Sequence, residues 1–155
     1  MNDSPVPSQT SAFFPGIVTA RFYETWDFYT SLLGFRTLSE NNTRVHLQHP
    51  GGARLSILEH EVDGNPSELI SATDGRGFWF SLEVTDLDAE FDRIKSAGAV
   101  ITTPPVGQGR GGRHFMIRDP NGVLICVSER VLAPAMEGET LGCPICGPMV
   151  EVAEV

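Results

Sequence analysis

Residues 113–129, RHFMIRDPNGVLICVSE, read as two strands folded about a turn. Short, mostly apolar runs, FMI and VLICV, stand on either side of DPNG, and Asp, Pro, Asn and Gly in succession supply turn chemistry. A period of two places His114 and Met116 on one face, with Leu124, Cys126 and Ser128 beside them on the second strand. Cys126 is the only cysteine outside the C-terminal tail.

Working outward from the hairpin, GFWFSLEVT (77–85) reads as a strand and DLDAEFDRIKSAGA (86–99) as a helix. Asp86 is placed to cap that helix and Gly98 to stop it, with Leu87, Phe91 and Ile94 on one side. VITTPPVG (100–107) then leads into the glycine-rich stretch PPVGQGRGGR (104–113), which matches no phosphate-binding spacing and reads as a mobile flap. The order is β-α-β-β-β.

The same order occurs once before. FFPGIVTA (13–20) suits a strand, and RFYETWDFYTSLLGF (21–35) sets Phe22, Trp26, Tyr29 and Leu33 at helical spacing ahead of Gly34, with Trp26 expected in the core. RTLSE, TRVHLQHP and ARLSILEH follow as strands separated by turn residues. The polar stretch 61–76 is the expected seam. The expected organisation is an N-terminal arm over 1–12, a domain over 13–132 with modules near 13–60 and 77–130, and a C-terminal extension over 133–155. The fold class is α+β: paired βαβββ modules whose curved mixed sheet surrounds a cavity, the natural seat of a ligand.

The chain has 155 residues and a formal charge of −9, which argues against a nucleic-acid partner because phosphate binding needs clustered basic residues. An acidic surface serves solubility first and a cationic ligand second. No apolar run is long enough to span a bilayer, and no secretion signal is evident, so no membrane partner is expected and the cytoplasm is the expected compartment. Three cysteines suit a reducing environment. Cys143 and Cys146 form CxxC, half of a zinc ribbon with no second half in the chain.

DFYTSLLGF (27–35), LEVTDLDAEFDRIKSAGA (82–99) and GRHFMIRDPNGVLICVSE (112–129), in this order and spacing, resemble the vicinal oxygen chelate superfamily. That superfamily includes glyoxalase I, bleomycin and fosfomycin resistance proteins and extradiol dioxygenases. The resemblance implies the paired-module fold, commonly as a homodimer, and a divalent metal held by His and Glu from four strands. Counting from the matched motifs puts those four positions at Phe14, Ser56, Trp79 and Cys126. None is a His or a carboxylate, so neither a metal nor any other cofactor is expected.

By strand alternation the cavity lining includes Phe14, Val18, Arg54, Ser56, Leu58, Trp79, Ser81, Glu83, His114, Met116, Leu124, Cys126 and Ser128. Arg110 and Arg113 in the flap are placed to touch an anionic group. His46, His49 and His60 are expected at strand ends or turns, as hydrogen-bonded or solvated side chains. The expected function is metal-free binding of a small hydrophobic or aromatic molecule, similar to the bleomycin resistance type. The alternatives are an unusual lyase, isomerase or dioxygenase-like enzyme using His114, Glu83 or Cys126, and a divalent-metal-dependent lyase or dioxygenase.

Overall fold

The computed structural model describes residues 12–107 and 113–129, and the backbone of 141–143 and 147–149. The chain is α+β and divides into two compact units, residues 1–72 and 73–155, each holding one βαβββ module.

In the first unit, β1 (Gly16–Thr19) leads through α1 (Phe22–Asp27) to β2 (Arg36–Asn41), β3 (Arg44–Gln48) and β4 (Arg54–Glu59). The sheet order is β1-β4-β3-β2, with β1 parallel to β4 and the other pairs antiparallel. The alternation dictates which side is buried: Ile17, Val45, Leu47, Leu55 and Ile57 lie on one face together with Phe22, Tyr29, Leu32 and Leu33 of the helical segment, all buried. Thr19 and Thr25 are buried polar exceptions whose hydroxyls meet at 3.2 Å, and Thr25 also donates to the Arg21 carbonyl. Each hydroxyl thus has a partner away from water.

The spacing predicts one regular helix up to Gly34, but the α-helix ends at Asp27 and continues as a wider π turn over Phe28–Leu32. Leu33 N–H reaches back to the Phe28 carbonyl at 3.3 Å. Thr30 supplies a physical cause, since its hydroxyl donates to the Trp26 carbonyl at 2.9 Å and competes with the backbone there. Gly34 then takes φ +76°, a conformation suited to glycine, and the helix stops. Trp26, expected in the core, is only half-buried: its indole N–H donates to Thr37 Oγ1 at 3.0 Å, on the edge strand. A polar indole tip favours that boundary position.

In the second unit, β5 (Trp79–Val84), α2 (Leu87–Ser96), β6 (Val100–Val106), β7 (His114–Arg118) and β8 (Leu124–Glu129) give the sheet order β5-β8-β7-β6. β5 runs parallel to β8. Asp86 caps α2 by accepting from Ala89 N–H at 3.0 Å, and Leu87 and Ile94 are fully buried. Phe91 sets its ring edge-on to Phe115 at 5.2 Å. The DPNG turn is organised by the buried Asp119 carboxylate, which accepts from the backbone N–H of Asn121 at 2.8 Å and of Val123 at 2.9 Å. Gly75 lies so close to this turn that a Cβ there would overlap the Gly122 carbonyl.

Of the stretch 104–113 read as a flap, Pro104, Pro105 and Val106 belong to β6. β6 is the edge of its sheet and carries register shifts beside these prolines, the setting in which a strand tolerates residues without an N–H. Residues 108–112 lie outside the described residues, as do the N-terminal arm through residue 11 and most of the tail. Within the tail, β9 (Leu141–Cys143) pairs antiparallel with β10 (Gly147–Met149), while Cys146 lies outside the described residues. Among the described residues no helix is long and apolar enough to cross a membrane.

Candidate functional site

Each sheet has one face turned to its helix and one turned away, and the second faces carry the residues singled out in the sequence. In the second unit the register builds three rungs. Glu83, Ser128 and His114 form one, Ser81, Cys126 and Met116 the next, and Trp79, Leu124 and Arg118 the third. The sequence-predicted group of this module therefore shares one surface. Trp79 is 43% exposed and its indole donates to Ser81 Oγ at 3.2 Å, so the ring leans along its own strand toward the middle rung. Cys126 at the centre of that rung is only 1% exposed. The face thus offers a flat ring and a thioether at an apolar centre, with Glu83 and His114 at one end.

Arg113 is already engaged within its unit. Its guanidinium meets Asp88 at 2.7 Å and Glu129 at 3.5 Å. The hydrogen bond to Asp88, then the charges of Asp88 and Glu129, hold its pKa above the usual arginine value. Its present geometry ties the start of β7 to α2. Arg110 lies outside the described residues.

In the first unit the corresponding rungs are Val18, Leu58 and Arg44, then Gly16, Ser56, His46 and Ser39, then Arg54, Gln48 and Arg36. Ser56 occupies the register position that Cys126 has in the second unit. Phe14 precedes β1 instead of lying on it, since the strand begins at Gly16, and pairing reaches back only to the Pro15 carbonyl, which accepts from Ser56 N–H at 3.0 Å. The Phe14 ring stands edge-on to His46 with centroids 6.0 Å apart.

His46 corrects the sequence reading. It sits in the middle of β3, directly opposite Ser56, and not at a strand end or turn. Alternation within RVHLQ already carried that signal. His49 does sit in a turn, where its Nδ1 accepts from Gly51 N–H at 3.0 Å.

A cavity of about 260 Å³ opens on this face, lined in part by Phe14, Leu38, Ser39, His46 and Arg54. Leu38, Ser39 and His46 were missing from the sequence-predicted site. Leu38 reaches it because the β2–β3 register shifts between Thr37 and Ser39, leaving Leu38 as the extra residue of a bulge. Such a bulge breaks the two-residue period and turns a side chain that simple alternation misplaces.

The divalent metal implied by the resemblance does not fit these residues. Two of the four positions are aromatic or hydrocarbon rings without a suitable donor, one is a serine hydroxyl and one a buried thiol, whereas such ions favour imidazole and carboxylate. Among the described residues, no three His, Cys, Asp or Glu side chains gather in a metal-holding arrangement.

The family model described as "Glyoxalase/Bleomycin resistance protein/Dioxygenase superfamily" matches residues 14–127. Among solved structures, an integron cassette protein from the mobile metagenome of V. cholerae is similar with a TM-score of 0.64 and 22% identity, over 81% of this chain and 99% of its own. A glyoxalase/bleomycin resistance protein/dioxygenase from Nocardioides gives 0.65 and 20%, over 86% and 92%. A lactoylglutathione lyase from Agrobacterium tumefaciens gives 0.58 and 16%, over 79% and 96%. No curated protein matches the sequence. These likenesses concern the fold, and the family match spans both βαβββ modules: the chain belongs to the glyoxalase/bleomycin resistance protein/dioxygenase superfamily.

Proposed function

We propose that this protein binds and sequesters a small hydrophobic or aromatic molecule without transforming it, as a metal-free member of its superfamily. The observation that carries this reading is the residue set at the positions where metal-dependent relatives hold their ion: Phe14, Ser56, Trp79 and Cys126. Rings at two of these positions provide stacking surfaces, and the serine and the buried cysteine provide small walls. The exposed Trp79 and the Phe14–His46 pair support it further, since exposed flat rings cost little conformational entropy to order on a ligand. The working form is a homodimer in the cytoplasm, and antibiotics belong among the ligands to be tried.

Titration calorimetry of the full chain against neutral, anionic and cationic single- and double-ring compounds, antibiotics included, tests the reading. Saturable binding of at least one compound, recovered unchanged after incubation, is the expected result. No binding across the panel, or stoichiometric conversion of a bound compound, overturns it. Cys126 as a nucleophile would require access, and its burial predicts slow alkylation by a mild thiol reagent in the native state.

A further inference from the structure

The chain as a whole is strongly acidic, yet one surface of it has the opposite character. On the helix-free face of the first unit, the four strands contribute Gly16 and Val18, Arg36, Ser39 and Asn41, Arg44, His46 and Gln48, and Arg54, Ser56 and Leu58. Three of these are arginines, one is a histidine and none is a carboxylate.

The arginines differ in what they hold. Elsewhere among the described residues, Arg21, Arg76, Arg93 and Arg113 each face a carboxylate of their own unit, while Arg118 donates to the Gly122 carbonyl. On this face Arg36 donates to Gln48 Oε1 at 2.6 Å. Gln48 stands opposite Arg54 in the register, but its oxygen is occupied by Arg36. Among the described residues neither the Arg44 nor the Arg54 guanidinium has an acceptor, and of the two Arg54 is the one that lines the cavity that Phe14 and His46 also line.

A guanidinium without an acceptor is a planar fork suited to a carboxylate, which it engages through two parallel N–H donors. Beside it, the edge-on Phe14 and His46 rings offer the kind of wall an aromatic ring packs against. The cavity's 260 Å³ lies near the lower end of the range for small-molecule pockets, which limits the ligand to about one ring. We propose that the cavity bounded by Phe14, His46 and Arg54 binds a small single-ring aromatic carboxylate, with the carboxylate on Arg54 and the ring against Phe14. This rests on the binding reading above and narrows its ligand to an anion, against the cation preference that net charge alone suggests.

The test is calorimetry on the full chain with benzoate, benzamide and acetate, repeated on R54Q, R54K, R44Q and F14A. Benzoate is expected to bind saturably and at least tenfold more tightly than either benzamide, which lacks the charge, or acetate, which lacks the ring. R54Q should weaken benzoate about tenfold or more, the loss expected when a charge-assisted hydrogen-bonded pair is removed. R54K should recover part of that loss, and F14A should weaken benzoate several-fold while leaving acetate unchanged.

R44Q, on the same face but not lining the cavity, should stay within about twofold of the unmodified protein. Benzamide or acetate equalling benzoate would overturn the proposal without touching the broader reading, as would equal losses from R44Q and R54Q. Absence of benzoate binding while neutral aromatics bind would also overturn only the anion assignment. Silence across the whole panel would remove both. The benzamide and acetate arms need no variant, so the outcome does not depend on any substitution folding well.

Discussion

The two units share an order of elements, a sheet topology and a register, and differ in what they place on the face away from the helix. The helix-side faces are interchangeable in kind: Val45, Leu47, Leu55 and Ile57 in one, Phe115, Ile117, Ile125 and Val127 in the other, all buried. The opposite faces are not. At matching rungs Ser56 stands against Cys126, His46 against Met116, and Arg54 against Leu124. One face carries three arginines and no carboxylate, the other a thiol and a thioether at its centre with Glu83 and His114 at one end. Backbone pairing and one apolar side suffice to specify the module, which leaves the second side open to divergent chemistry.

The largest expected effect tests the half of this comparison that claims equivalence. Ile57→Ala and Ile125→Ala each empty a fully buried site on the helix side, and each should cost about 2–5 kcal/mol in denaturant unfolding. A loss confined to one of them would break the equivalence.

The turns between the last two strands come next. In the second unit that turn depends on the buried Asp119 carboxylate, in the first on the half-buried His49 imidazole. Asp119→Ala should cost about 2–3 kcal/mol, because charge-assisted bonds to backbone N–H groups are lost from a buried site. His49→Ala should cost about 0.5–1 kcal/mol, the worth of one ordinary hydrogen bond. Equal costs would show that burial does not distinguish the two turns.

The outer faces come last. Cys126→Ser puts a hydroxyl where the thiol is 1% exposed and should destabilise by about 1–3 kcal/mol. The reciprocal Ser56→Cys, at a half-buried site, should change stability by no more than about 0.5 kcal/mol. Thermal unfolding followed by circular dichroism measures both. Symmetric responses would mean that the contrast in burial has no energetic weight.

Much of this architecture was legible in the sequence because the helix-side residues obey strict periods. Val45 and Leu47, Leu55 and Ile57, Phe115 and Ile117, and Ile125 and Val127 recur at every second position of their strands, and Asp86, Gly34, Gly98 and DPNG punctuate them with residues whose backbone preferences are strong. The departures occur where one local interaction overrides a period. The Thr30 hydroxyl widens the end of the first helix, and the extra residue at Leu38 shifts one edge strand. Neither leaves a pattern longer than a few residues. The same holds at the site: the strand that alternation extends to Phe14 begins two residues later, and the cavity wall made by Leu38 and Ser39 depends on a bulge. The mid-strand place of His46 is legible from alternation within RVHLQ. The lack of an acceptor for Arg54 emerges only when the side chains of neighbouring strands are seen together, because Gln48 looks available until Arg36 is found to hold it.

The parallel pairing of first and last strands in each unit has a consequence for assembly in time. Position 16 meets position 56, and position 79 meets position 124, so the opening strand of each unit can gain its neighbour only after nearly the whole unit exists. β4 and β8 are the strands that join their opening partners to the hairpins beside them. Loop closure over such separations is entropically expensive and slows the search. During synthesis the first unit has all its strands before the second begins, so a nascent chain stopped just before Leu124 should carry one complete sheet, together with a solitary β5 and an unanchored β6–β7 hairpin. Ribosome-stalled chains of increasing length, probed by limited proteolysis, should therefore gain protection in two abrupt steps, one after each closing strand leaves the exit tunnel.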